Sequence, residues 1–101
     1  MVDKYLVPRA DAIRNKRRLR GFTLRTLSIA TGQASLDRKR VARGHLGRIE
    51  RGEAPAVYTS TARKIAAAIA GPEASPQDID LVMVELFEFP KETAKEDASV
   101  R

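Results

Sequence analysis

The chain reads as an all-α domain of five helices. Apolar residues recur at helical spacing along most of its length, and Pro and Gly stand where those segments start and stop. At 101 residues there is room for one modest core and short tails. Three stretches follow: an N-terminal arm at 1–7, a domain at 8–89 that ends in a candidate dimerisation helix (76–88), and a disordered tail at 90–101.

Helix 1 is placed at Pro8–Leu19, with Pro in the first turn and Gly21 as a left-handed stop. Thr23 is a candidate N-cap for helix 2, whose stripe is Leu24, Leu27 and Ala30 or Thr31 and whose end is set at Gly32. Gln33–Arg40 is polar and basic and is read as a loop or separate turn. Helix 3 begins near Ala42, where Ala42, Leu46 and Ile49 share one face that Leu36 and Val41 do not join, and Gly52 stops it. Helix 4 has the clearest stripe, Ala62–Ile65–Ala66–Ile69, with Thr59 or Ser60 as cap and Gly71-Pro72 as terminator. Ser75-Pro76 opens helix 5, with Ile79, Val82, Met83 and Leu86 facing inward.

Composition narrows the function classes. There is no Cys and a single His, so disulfides, Cys-based zinc sites and a metal centre are not expected, nor is any cofactor. No run approaches the roughly 20 apolar residues of a membrane span, and no leader-like start precedes Pro8, so a soluble cytoplasmic protein without a membrane partner is expected. The net charge of +6 is unevenly spread: Arg9–Arg51 carries +10 and Gly52–Arg101 carries −4. One basic half suggests a surface that meets a polyanion, although charge alone does not separate DNA from RNA or an anionic membrane.

The segment Gly21-Phe22-Thr23-Leu24-Arg25-Thr26-Leu27-Ser28, then Thr31-Gly32, resembles the first helix of the helix-turn-helix in the lambda-repressor-like (Cro/XRE-type) family. Val41–Gly52, ending Ile-Glu-Arg-Gly, resembles that family's recognition helix. Ile13-Arg14 with Arg17 resembles its first helix and Ile65-Ala66 with Ile69 its fourth, so the likeness covers about Ile13 to Ala70. One departure is plain. Gly32 and Glu50 lie eighteen residues apart, about eight more than the family pattern, and the surplus falls at Gln33–Arg40. Closure entropy grows only logarithmically with loop length, so an enlarged basic turn between helices 2 and 3 leaves the fold expectation standing.

The resemblance implies a sequence-specific regulator of transcription, a repressor like those of phages, that reads a major groove with the helix at 42–51. Arg43, Gly44 and Arg48 then match base-contacting positions, with His45 beside them, and each arginine can donate two hydrogen bonds to guanine. Phosphate contact is the alternative role for both arginines. Helix 2 begins at Thr23 and Leu24, where open N–H groups suit a phosphate. Arg14, Arg18, Arg20, Arg25 and Arg51 are flanking phosphate candidates or solvated charges, and Arg38, Lys39 and Arg40 make the enlarged turn either a phosphate-contacting arm or an ordinary loop. The family also implies an ion pair between Arg17 and Glu50 that ties helix 1 to helix 3. Gly44 and Gly47 are unusual in a helix: they permit close approach to DNA and to helix 2, or they leave helix 3 loose until DNA binds.

Helix 5 is apolar on more than one face. Leu81, Val84 and Phe87 lie off its inner stripe and are candidates for a homodimer interface, unless Tyr5-Leu6-Val7 or Phe89 folds back over them. Two recognition helices about 34 Å apart suit a palindromic operator. An enzyme is not expected, since no nucleophile–base pairing or phosphate-loop pattern is present. The alternative reading is an antitoxin that binds DNA with one face and a toxin protein with another. RNA binding is disfavoured by the few aromatic residues available for stacking.

Overall fold

The computed structural model describes residues 5–89; residues 1–4 of the expected arm and the whole expected tail at 90–101 lie outside that range. The elements are β1 (Tyr5–Pro8), α1 (Ala10–Leu19), α2 (Leu24–Ala34), α3 (Arg43–Glu50), β2 (Val57–Tyr58), α4 (Thr59–Ala70), α5 (Pro76–Leu86) and β3 (Phe87–Glu88). All five helices are present. The all-α expectation is corrected by a small antiparallel sheet of order β2-β1-β3.

The sheet explains three boundary shifts. Tyr5–Pro8 is not a free arm: it pairs Tyr5 with Tyr58 and Leu6 with Val57 on one side, and Val7 with Glu88 and Pro8 with Phe87 on the other. Pro8 is therefore in a strand, and α1 starts two residues after it. The same pairing ends α5 at Leu86 instead of residue 88. Arg9 secures the junction: its N–H donates to the Leu86 carbonyl at 2.8 Å and its guanidinium to the Val84 carbonyl at 2.7 Å. Strands this short show no period in a sequence, which is why they read as helix or arm.

The core lies where α4 packs on α2 and α5, with the sheet closing one end. Leu6, Ile13, Leu27, Leu46, Ile49, Ile65, Ile69, Leu86 and Phe87 are fully buried, and Val57 and Met83 nearly so. The α4 stripe is buried as its spacing predicts. On α5, Met83 and Leu86 are buried but Ile79 and Val82 only half so. Two expectations fail here. Ala42 is exposed and Val41 enters the core in its place, while Leu36 is fully exposed. Phe87 is buried beneath Pro8, so only Leu81 and Val84 of the expected dimer patch remain exposed.

The helix ends follow local chemistry. Thr23 and Ser75 cap α2 and α5 in reciprocal boxes with Thr26 and Asp78. The cap expected at Thr59 or Ser60 is displaced: Tyr58 holds the N-cap position of α4 without a side-chain bond. Gly52 ends α3 at φ 77°, a left-handed conformation that suits glycine. Gly32 does not end α2. It is buried within the helix, because a Cβ there would come 2.9 Å from Cβ of Arg40.

The expected Arg17–Glu50 pair is formed and buried. Arg17 Nε lies 2.6 Å from Glu50 Oε2 and Nη2 lies 2.8 Å from Oε1, while Nη1 donates to the Phe22 carbonyl at 2.9 Å. The side chains are 11% and 7% exposed, so little water screens the contact. Truncating one partner strands a buried charge. Glu50→Ala is expected to lower the free energy of unfolding by about 3–5 kcal/mol, and Arg17→Met with Glu50→Leu to recover most of that. Urea unfolding measures both. A loss below about 1 kcal/mol for Glu50→Ala would put the pair among screened surface contacts.

Candidate nucleic-acid interface

The interface candidates sit on α2, α3 and the loop between them. On α3 the buried side is Leu46, Gly47, Ile49 and Glu50, and the exposed side is Arg43, Gly44 and Arg48, with His45 half-buried. The two glycines differ. A Cβ on Gly44 would meet nothing within 4 Å, so that position faces open space, whereas a Cβ on Gly47 would lie 3.7 Å from Leu24 Cδ1 at the start of α2. Gly47 therefore faces α2 at ordinary contact distance, and the tighter neighbour of a Cβ there would be the Arg51 guanidinium at 3.2 Å.

The extra residues are shared between two structures. Gln33 and Ala34 lengthen α2, and residues 35–42 form a pinned turn. Asp37 Oδ1 accepts the Lys39 N–H at 2.9 Å and the Ser35 hydroxyl at 2.9 Å. From α4, Lys64 Nζ donates to Asp37 at 3.2 Å and to the Lys39 carbonyl at 3.0 Å. These bonds hold Arg38 at φ 61°, a conformation that costs a non-glycine residue about 1–2 kcal/mol. The Lys39 N–H, then the Ser35 hydroxyl and then Lys64 hold the Asp37 carboxyl down at about 2.

The end of the loop is clamped from inside. Thr31 Oγ1 accepts the Val41 N–H at 2.8 Å, and the Ser28 hydroxyl donates to the Val41 carbonyl at 2.6 Å. Both hydroxyls are buried. Ser28, Thr31, Asp37 and Lys64 were not singled out from the sequence as site residues. The signal for the first two was present: polar residues three apart on the inner stripe of a helix must be hydrogen-bonded to something.

The remaining candidates scatter. Arg14 is paired with Asp11 at 2.8 Å and Arg51 with Glu53 at 3.0 Å, so both have acidic partners within a few residues. Arg51 also lowers the Glu53 carboxyl from its ordinary range, through their hydrogen bond first. Arg20 lies on another side, beside Phe22, Gly71 and Pro72 between α1 and α4. Thr23 caps α2, and Leu24 is half-buried against α3. Arg18 is exposed at the end of α1.

Charge pairing sorts these cations. Among the described residues, Arg9, Arg14, Lys16, Arg17, Arg51, Arg63 and Lys64 have acidic partners. No ion pair is formed by Arg18 at the end of α1, by Arg20 just after it, or by six more: Arg25, Arg38, Lys39, Arg40, Arg43 and Arg48, the last of which still lies near enough to Glu53 to help lower its carboxyl. All six belong to α2, the loop and α3.

Two measurements test the clamp and the pin. Thr31→Val leaves the buried Val41 N–H unpaired and is expected to cost about 1–3 kcal/mol in urea unfolding; a neutral substitution would mean the bond is not formed. The Asp37 contacts favour the ionised carboxyl, so their stabilisation is complete above about pH 4 and is lost as pH falls through about 2. The Lys39 amide resonance should titrate with a midpoint near 2, and a midpoint near 4 would show an unpinned loop.

No family model, no curated protein and no solved structure matches the chain, and its surface chemistry is the ground on which a function has to be argued.

Proposed function

We propose that the protein is a sequence-specific regulator of transcription, in the first place a repressor, that binds double-stranded DNA with α2 and α3 as a lambda-repressor-like helix-turn-helix. One observation carries this reading: six cations that form no ion pair on α2, the loop and α3, beside a helix whose outer side is Arg43, Gly44 and Arg48. Elsewhere on the described surface most basic side chains are neutralised. A surface of unneutralised arginine and lysine supplies the phosphate-directed part of DNA affinity.

The roles divide by position. Arg48 donates its fork to guanine O6 and N7, with His45 at the groove edge and Gly44 allowing the backbone close to the bases. The α2 capping box uses the Thr23 and Thr26 N–H groups, leaving those of Leu24 and Arg25 for a phosphate. Lys39 and Arg38 reach the backbone from the loop. Two copies joined through Leu81 and Val84 of α5 place two such helices on a palindromic operator.

Selection from a random duplex pool, repeated at several salt concentrations, tests the reading. A palindromic motif containing guanine is expected, with a dimeric mass by light scattering. Arg48→Ala should lose about 1–3 kcal/mol of discrimination at one base pair per half-site, while Lys39→Ala weakens all sequences alike. Recovery of no motif, with a steep salt slope, would reduce the protein to a nonspecific polyanion binder.

A further inference from the structure

Between the first half of α2 and the start of α3 lies a cavity of about 340 Å³, lined by Arg25, Ser28, Ile29, Arg40, Ala42 and Arg43. Three of its six lining residues are arginines from three different segments: Arg25 from α2, Arg40 from the loop and Arg43 from α3. No acid lines it, and none of the three has an ion pair among the described residues. Three like charges gathered without a counter-ion repel one another, so the arrangement is most stable when an anion sits among them.

The other polar groups at the cavity are donors or already committed. The Ser28 hydroxyl donates to the Val41 carbonyl at 2.6 Å. Ala42 occupies the N-cap position of α3 without a side-chain capping bond, so the first N–H groups of that helix are open. Arg40 is anchored at its base. Its Cβ packs on Gly32, and the residue before it is held by Lys64 and Asp37. A site dominated by guanidinium forks and helix N–H groups, with no carboxylate on its lining, matches a phosphate oxyanion better than a base edge, which mixes donors with acceptors.

We infer that Arg25, Arg40 and Arg43 hold one backbone phosphate of the bound duplex beside the recognition helix, an inference that rests on the DNA-binding reading. It moves Arg43 from base reading to backbone holding, and it gives the enlarged turn a purpose: delivering Arg40 to a site that α2 and α3 alone leave incomplete. Base discrimination on α3 then falls to Arg48 and its neighbours.

Neutral methylphosphonate linkages, introduced one at a time into the duplex recovered by selection, read the site directly. One position per half-site is expected to weaken wild-type binding about tenfold and to have no further effect in Arg40→Gln. Arg43→Gln should weaken every duplex while leaving the recovered base preference unchanged, and each variant should lower the salt slope by about one. Arg40 and Arg43 are exposed, so unchanged melting temperatures verify folding. The inference is overturned if no linkage loses its effect in Arg40→Gln, or if Arg43→Gln relaxes the preference at a base pair. Titration with inorganic phosphate, followed at the Ser28 and Ala42 amides, separates the two readings. Saturable shifts that vanish in Arg40→Gln, with no duplex enriched, would sink the DNA reading and leave an anion site; absence of both shifts and duplex binding would sink the site as well.

Discussion

Arg17 holds three segments with one guanidinium. It grips Glu50 on α3 through two hydrogen bonds and the Phe22 carbonyl, in the turn before α2, through a third. That junction matters because α3 has little reason to exist alone. It is eight residues long and contains two glycines, and helices so short are marginal in water even with favourable composition. Its order is tertiary. Leu46 and Ile49 supply buried area, and the ion pair adds position: a buried pair contributes little net stability but penalises every arrangement in which its charges are separated.

The opposite end of α3 is fixed by different chemistry. Val41 enters the core just before the helix, and α2 hydroxyls take up both of its backbone polar groups. Thr31 also donates to the Ser28 backbone carbonyl at 2.6 Å, so its hydroxyl is satisfied as donor and as acceptor. An exposed loop therefore ends in a buried, fully hydrogen-bonded residue. With Gly52 closing the far end and Leu46 and Ile49 in the core, α3 is held at both termini and along its buried side. The loose-helix alternative raised by its glycines has no support in this packing.

Much of this was legible, and the misses share a cause. The stripes of α4 and part of α2, the caps at Thr23 and Ser75, and the Arg17–Glu50 pair rest on spacing or on a family likeness that spans adjacent elements. The sheet was not legible, because two-residue strands such as Val57–Tyr58 carry no period and acquire their identity only from Tyr5 and Leu6, some fifty residues away. Phe87 illustrates the same limit: helical continuation put it on an outer face, and pairing with Pro8 put it inside. Gly32 was read as a stop since glycine usually punctuates helices, whereas its reason is a neighbour, Arg40, that lies far along the loop. At the candidate interface, sequence identified the basic residues but did not weigh their near neighbours: Asp11 three residues before Arg14 and Glu53 two after Arg51 take up those two cations.

That last distinction bears most on function. Glu50 and Glu53 are taken up by Arg17 and Arg51, and Asp37 by Lys64, a cation delivered from α4. The acids closest in sequence to the basic surface are thus paired with other cations, and the six cations of α2, the loop and α3 are left without ion pairs. Exposed like charges in water repel by about 1 kcal/mol or less per pair, a penalty a small fold can carry. A flexible arm of eight residues would have to be ordered when DNA arrives, at a substantial entropic cost, whereas a turn held by Asp37, Ser35 and Lys64 arrives already shaped. An enlarged turn is therefore compatible with the proposed DNA binding. It replaces a short connection with a preorganised one that brings its own cations.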